Sequence, residues 1–257
     1  MTATLPAPTH DIAAPAAYRS VQVLDFLGRR AEPATITQIA VGLGFAKSTV
    51  SNLVSTLEVA RMVRRVNGGW ALGYKVLELG QSMLASTTLV SEFRRIVSGL
   101  PTLQNGTALL AALDGMEVIY LARHDGKQPI RLASDIGRRM PASVTALGKA
   151  MLAQMDDDEL AAQLATIDVL PRPTKRAHRT VRELRADLVV IRERGYAIDD
   201  EQNTIGVTCF AVAVPAPAQH IAVSTTLLTQ RVRPDLRTRL VADLTVLAHQ
   251  LGTFANR

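Results

Sequence analysis

The sequence predicts an α+β chain of two units, a small helical module closed by a hairpin and a larger domain of mixed strands and helices. Three observations carry this reading. Residues 37–65 interleave an apolar and a hydroxyl-rich stripe at helical spacing. An Asn-Gly pair then separates two short runs, and past about Thr88 the pattern changes to strands alternating with helices.

Residues 1–15, with Pro6, Pro8 and Pro15, read as a flexible tail, because proline discourages helix and chain ends are seldom tied down. Ala16 to about Arg30 reads as a first helix, with Val21, Leu24 and Leu27 toward a core. Thr37 is an expected N-cap for a short second helix whose Ile39, Ala40 and Leu43 face inward, and Gly44 permits a tight turn after it.

Val50, Leu53, Val54 and Leu57 then recur at i, i+3, i+4 and i+7, which makes one apolar face of a third helix. Ser48, Ser51, Asn52 and Ser55 repeat on the far side, with Lys47 and Thr49 near the helix start and no carboxylate before Glu58. Short donors and acceptors on an uncharged face suit the DNA major groove. Arg64 and Arg65 precede Asn67-Gly68-Gly69, and an Asn-Gly pair between short runs signals a hairpin because both central residues must tolerate positive φ. Two helices, a glycine turn and a hairpin make a winged helix-turn-helix over residues 16–72, with Arg64 and Arg65 placed to meet phosphates. A helical pattern over 73–88, carrying Val76, Leu79, Met83 and Leu84, reads as a linker helix.

The second unit, 89–257, opens with a helix over Val90 to Leu100. Thr107 to Leu113 and Met116 to Arg123 flank an Asp114-Gly115 turn, and Ile130 to Ala133 reads as a third strand. Val144 to Gln154 and Asp158 to Ala165 read as helices, the latter with Asp156 and Asp157 near its positive end. Thr180 to Glu183 has the spacing of a capping box, starting a longer helix that Gly195 ends. Tyr196 to Asp199, Val207 to Val214 and Ile221 to Thr226 read as strands, and a helix from Pro234 to Leu251 closes the domain.

The helix-turn-helix and wing, the stretch ALGKAMLA, the run RERGYAIDDEQNTIGVTCFAVAVPAP and the late strand AVSTT follow one another in order. Together they resemble the IclR family of bacterial transcriptional regulators, from about Ala16 to the end. The resemblance implies a winged helix joined to a GAF-like α/β effector-binding domain. It also implies a homodimer or homotetramer on palindromic double-stranded DNA operators, and a small-molecule effector, often a carboxylate or an aromatic catabolite. Carried over position by position, the family's effector pocket falls on Met140, Ala146, Leu147, Asp199, Cys209, Ser224 and Thr226. The chain departs from common members in its bulkier Ala146-Leu147 pair and in Thr225-Thr226 where Ile-Ser is frequent.

Elementary chemistry bears on the same residues. The backbone N–H groups at the start of the Val144 to Gln154 helix favour an anion. Ser224 and Thr226, two apart on a strand, point to one face. Asp199 repels a bound carboxylate if ionised, so it either accepts from a ligand hydroxyl or a backbone group, or has a raised pKa. Cys209 is a ligand contact or a small buried hydrophobe.

Composition narrows the function. Of 257 residues 47% are apolar, enough for substantial cores, and 29 Lys+Arg against 23 Asp+Glu give a net charge of +6 that favours an anionic partner. Residues 1–88 and the remainder each carry +3, so charge is denser in the shorter part. A single cysteine, Cys209, excludes an intrachain disulfide and a cysteine-based zinc cluster within the chain. His10, His124, His178, His220 and His249 lack metal-ligand spacing, so neither metal nor cofactor is expected. Without a signal peptide or a long apolar run, a cytoplasmic protein without a membrane partner is expected. Lys149 after Gly148 lacks the upstream glycine of a phosphate-binding loop. Two rival readings are a ligand sensor whose helical module binds protein, and an enzyme using Asp199, Asp200 or Glu201. No nucleophile elbow, zinc-protease or dinucleotide motif supports the second.

Overall fold

In the computed structural model, residues 12–85, 88–126, 135–216 and 219–255 are described. The chain divides into two compact units, Met1–Ser86 and Thr87–Arg257. The strand expected at Ile130 to Ala133 and most of the expected tail lie outside the described residues.

In the first unit, α1 (Pro15–Gly28), α2 (Ile36–Leu43) and α3 (Lys47–Val59) precede the strands β1 (Val63–Val66) and β2 (Gly69–Leu72) and the helix α4 (Tyr74–Ala85). The N-cap of α2 is Thr35 and not Thr37. Thr35 Oγ1 accepts from Gln38 N, and Gln38 Oε1 accepts from Thr35 N at 2.8 Å, so two otherwise orphaned amides are satisfied reciprocally. Gly44 ends α2 in the left-handed region at φ 69°, where a Cβ would be strained. The inward face of α1 is also rotated from expectation: Val23 and Leu27 are buried one turn apart, while Val21 is 51% exposed. They join Ile39, Val50, Val54, Leu57, Val63 and Trp70 in one core. Each fully buried Val, Leu or Ile contributes about 1.5–3 kcal/mol.

Asn67 (φ 49°) and Gly68 (φ 79°) form the turn between β1 and β2, and both positive angles match the right-handed twist of a short hairpin. Ala34 exchanges two backbone hydrogen bonds of 2.8 Å with Trp70, adding a one-residue third strand.

The second unit contains α5 (Leu89–Val97), β3 (Thr107–Asp114), β4 (Glu117–Asp125), β5 (Arg139–Pro141), α6 (Ala146–Leu152), α7 (Asp157–Ala165), α8 (Val181–Arg194), β6 (Ala197–Asp200), β7 (Val207–Ala213), β8 (Ile221–Leu228) and α9 (Pro234–Ala255). Its sheet has the order β5-β4-β3-β8-β7-β6 and every neighbouring pair is antiparallel. The last strand in sequence therefore sits near the middle, against β3. Alternation along the strands sends Leu109, Ala111, Ala197, Ala211 and Ala222 into one cluster with α6 and α8. The alanines let α6 lie close to the sheet.

Helix ends follow local chemistry. Asp156 Oδ1 accepts from Glu159 N at 2.8 Å to cap α7, and Thr180 Oγ1 accepts from Glu183 N to cap α8. The Glu183 carboxylate accepts from Arg179 N at 2.6 Å, so the expected box closes on the residue before the cap. Gly195 ends α8 at φ 80° and donates to Ile191 O. The helix expected over Val144 to Gln154 is shorter: a 3-10 turn covers Ala142–Val144, Thr145 is extended, and α6 runs for only seven residues. The reason is contact. A Cβ on Gly148 would lie 2.3 Å from Ala142 Cα, so only glycine lets that turn fold onto α6.

Candidate functional site

In the first unit, α3 presents the polar face read from sequence. Lys47, Ser48, Asn52 and Ser55 are exposed, Thr49 and Ser51 are half-buried, and Val50, Leu53, Val54 and Leu57 anchor the opposite face. Thr56 is also exposed, but its hydroxyl donates to Asn52 O at 2.9 Å. Arg64 and Arg65 are exposed on β1 and held by aromatic rings. The Arg64 guanidinium stacks 5.0 Å from the Tyr74 ring centre, and that of Arg65 lies 4.8 Å from Trp70. A cation over a ring is pre-positioned but keeps its charge. Arg65 also lies 3.8 Å from Glu58, a solvent-screened pair.

In the second unit a cavity of about 140 Å³ opens beside the sheet. All seven residues carried over by resemblance line it: Met140, Ala146, Leu147, Asp199, Cys209, Ser224 and Thr226. Sheet register explains the convergence. Asp199 pairs with Cys209, Cys209 pairs with Thr226, and Ser224 lies opposite Leu109, so three adjacent strands present one polar row. Cys209 Sγ lies 3.4 Å from Thr226 Oγ1. Ala146 and Leu147 arrive from the start of α6, where Thr145 Oγ1 accepts from Gly148 N at 3.1 Å. With that amide occupied and the helix this short, α6 is a weaker anion site than the sequence suggested.

Asp199 resolves the alternatives left open above. Its Oδ1 accepts from Gln202 N at 2.7 Å and from Asn203 N at 3.1 Å, and it is 2% exposed. Burial raises its pKa from 3.8 to about 6, against those hydrogen bonds and the pull of Lys149. The carboxyl therefore both accepts from the backbone and holds a raised pKa. Burial likewise pushes the Cys209 thiol up to about 12, although part of its surface faces the cavity. The Tyr120 phenol is raised above its usual range, first by burial and then by Cys209, with Arg138 opposing.

Lys149, 1% exposed, is consumed by structure. Its ammonium donates to Asp187 Oδ2 at 2.7 Å, Ile198 O at 2.6 Å and Gln202 Oε1 at 2.5 Å, tying α6 to α8, β6 and the turn below Asp199. Asp187 also meets His178 at 3.1 Å. Burial favours the neutral carboxyl, but the bonds from His178 and Lys149 overcome this and bring Asp187 down to about 2.

Seven lining residues escaped the sequence reading, among them Tyr120 and Arg138. Arg138 is the more informative, because its Nε is buried without a hydrogen-bond partner. An unsatisfied buried N–H of a cation is costly and marks a place for an acceptor. Among the described residues no group of His, Cys, Asp and Glu is arranged to hold a metal, and no helix is long and apolar enough to cross a membrane.

A winged helix with a hydroxyl- and amide-bearing outer face, on the same chain as a partly open cavity lined by apolar and polar groups together, defines a DNA-binding regulator that responds to a small ligand. Family comparison makes this specific. The IclR helix-turn-helix domain matches residues 16–67, and the domain described as bacterial transcriptional regulator IclR C-terminal matches residues 81–253. The chain belongs to the IclR family of bacterial transcriptional regulators. It is 33% identical over 219 residues to the HTH-type transcriptional regulator XynR of Escherichia coli (strain K12), covering 83% of this chain and 86% of that protein. An IclR transcriptional regulator from Alicyclobacillus acidocaldarius superposes with a TM-score of 0.82 at 22% identity, over 96% of this chain and all of that one. An IclR homolog from Microbacterium hydrocarbonoxydans, complexed with 4-hydroxybenzoate, superposes with a TM-score of 0.76 at 20% identity, over 93% and 99% of the two chains. These domains belong to regulators and not to enzymes, so Asp199, Asp200 and Glu201 are not read as catalytic.

Proposed function

We propose that this regulator binds a palindromic operator as a homodimer or homotetramer, and that its effector is a compact hydroxylated carboxylate, aliphatic or aromatic. The observation that carries the effector class is the unpartnered Arg138 Nε in a cavity that also holds Asp199. Arg138 takes the ligand carboxylate, and Asp199 accepts from a ligand hydroxyl. Ser224, Thr226 and Cys209 line the floor, while Met140, Ala146 and Leu147 pack against the apolar part. A volume of about 140 Å³ favours a small ligand, since sites for drug-sized molecules span about 300–1,000 Å³. The 4-hydroxybenzoate held by the Microbacterium protein combines the same two groups.

On DNA, Ser48, Ser51, Asn52 and Ser55 face base edges, Lys47 and Thr49 meet backbone at the helix start, and Arg64 and Arg65 hold phosphates from the wing. Two half-sites require two chains. The exposed Leu77 (61%) and Leu79 (50%) on α4 support that helix as a self-association surface. The effector changes operator affinity only through unequal binding to two arrangements, typically by about 1–3 kcal/mol.

The test is calorimetry with a panel of small aliphatic and aromatic hydroxy acids, 4-hydroxybenzoate included, against the matching amides, on wild type and Arg138→Met. A charge-assisted hydrogen bond is worth about 1.5–3 kcal/mol, so an acid that binds should outcompete its amide by roughly 10- to 100-fold, and the variant should erase the preference. Equal binding of acid and amide to wild type refutes the assignment of Arg138.

A further inference from the structure

The charge of this chain is concentrated in one place outside the DNA-binding unit. Residues 171–185 hold six Lys+Arg and one Asp+Glu, leaving 23 against 22 in all the rest of the sequence. These cations, Arg172, Lys175, Arg176, Arg179, Arg182 and Arg185, are all exposed, on the loop before α8 and on its first turns. Only Arg176 has a carboxylate partner among the described residues, Asp200 at 2.6 Å with Glu201 at 4.0 Å. The lone acid, Glu183, is directed to a backbone amide.

This placement does not serve the helix. The N-terminal end of a helix carries partial positive charge, which cations there oppose. Helix α7 follows the favourable rule with Asp157, Asp158 and Glu159 in its first turn, whereas α8 sets Arg179 just before its cap and Arg182 and Arg185 just after. Arg182 and Arg185 are three apart and so adjacent on one helical face, away from the buried Leu184, Leu188 and Ile191. The loop is held rigidly, since Thr174 Oγ1 donates to Glu201 O at 2.8 Å and Ala177 is 3% exposed.

We infer that this basic strip of the effector-binding domain is a second DNA-contacting surface, which grips phosphates flanking the operator. A row of exposed cations on an anchored loop and helix start, of which only Arg176 is engaged by a carboxylate among the described residues, complements a linear polyanion, and duplex DNA presents one charge per about 1.7 Å. DNA is already the partner of the other unit, so the flank is delivered at high effective concentration once the operator is held. The contact is sequence-independent and adds affinity and salt dependence without specificity. The inference rests on the operator binding proposed above.

The experiment uses the full chain and two duplexes, one ending at the operator and one extended by two helical turns on each side, titrated at several salt concentrations. Wild type should bind the longer duplex more tightly, with a salt slope steeper by about 0.9 for each added phosphate contact. The variant Arg179→Gln/Arg182→Gln/Arg185→Gln should give one slope for both duplexes while retaining operator binding. Removing equal charge elsewhere, by Arg233→Gln/Arg237→Gln/Arg239→Gln, should leave the length dependence intact. Equal loss in both variants overturns the strip in favour of a net-charge effect. Wild-type binding that ignores duplex length also overturns it, and leaves an acidic protein as the partner to seek. Failure of wild type to bind either duplex overturns the operator reading itself.

Discussion

Replacing Asp199 by Asn should stabilise the second unit at neutral pH, and the size of the effect follows from its surroundings. The carboxyl is 2% exposed and its pKa stands at about 6, where an unburied one has 3.8. A shift of about two units corresponds to about 3 kcal/mol between the protonated and ionised forms. The sign is fixed by linkage. Because the native carboxyl takes up its proton before the unfolded one as pH falls, stability declines as pH rises from about 4 to about 6, then levels off. Asn keeps an oxygen for the Gln202 and Asn203 amides but carries no charge, so the variant lacks this decline. The stability difference between variant and wild type should therefore grow by up to about 3 kcal/mol across that window. Groups whose surroundings the substitution leaves unchanged contribute equally in both proteins and cancel. Urea unfolding between pH 4 and 8 measures this, followed by circular dichroism, because the single tryptophan, Trp70, belongs to the first unit. Parallel pH dependences in the two proteins would show that Asp199 ionises as freely as an exposed carboxyl, and would refute the reasoning. A carboxylate ligand in the same cavity should also bind more weakly to wild type as pH rises through about 6, and the variant should flatten that profile.

Three further perturbations test other parts of the molecule. Asp187→Ala leaves the Lys149 ammonium buried without its carboxylate and should cost about 3–5 kcal/mol in unfolding free energy; a loss below about 1 kcal/mol would mean that water or Gln202 replaces the partner. Gly148→Ala drives a methyl into the Ala142 backbone and should destabilise the second unit by at least about 1–3 kcal/mol, with effector affinity falling as Ala146 and Leu147 move; an unchanged melting temperature contradicts the close packing. Arg64→Ala/Arg65→Ala should weaken binding to all DNA sequences and flatten the salt slope by about 0.9 per phosphate released, and an unaltered slope removes the wing from the interface.

Local periodicity was enough to place α3, the Asn67-Gly68 turn and the capped start of α8, because each depends on residues within one or two turns of one another. The cap at Thr35 is legible in the sequence as well: Thr35-Ile36-Thr37-Gln38 contains the spacing of a capping box, which Thr37 lacks. The rotation of α1 had a weaker signal, since Val21, Val23 and Leu24 are all apolar and only packing selects among them. The cavity divides in the same way. Its seven forecast residues came through a family pattern and not through spacing, for nothing local says that β8 inserts between β3 and β7. Tyr120 lies beyond a register shift at Leu110/Ala111 that breaks strand alternation, and Arg138 sits in a polar loop where a cation ordinarily points to water. Only the buried, unpartnered Nε distinguishes it from its exposed neighbour Arg139.

The central position of β8 also sets a timetable for synthesis. The first unit closes through short-range contacts and is complete soon after β2 and α4 have left the ribosome. The hairpin of β3 and β4 emerges early too, but its other edge is covered only by Ile221–Leu228, more than a hundred residues later. At about 5–20 residues per second that is on the order of 5 to 20 seconds with an apolar edge awaiting its neighbour. Long-range antiparallel closure of this kind is slow as well as late. A nascent chain of this regulator thus presents a folded DNA-binding unit well before it owns a cavity in which to sense anything.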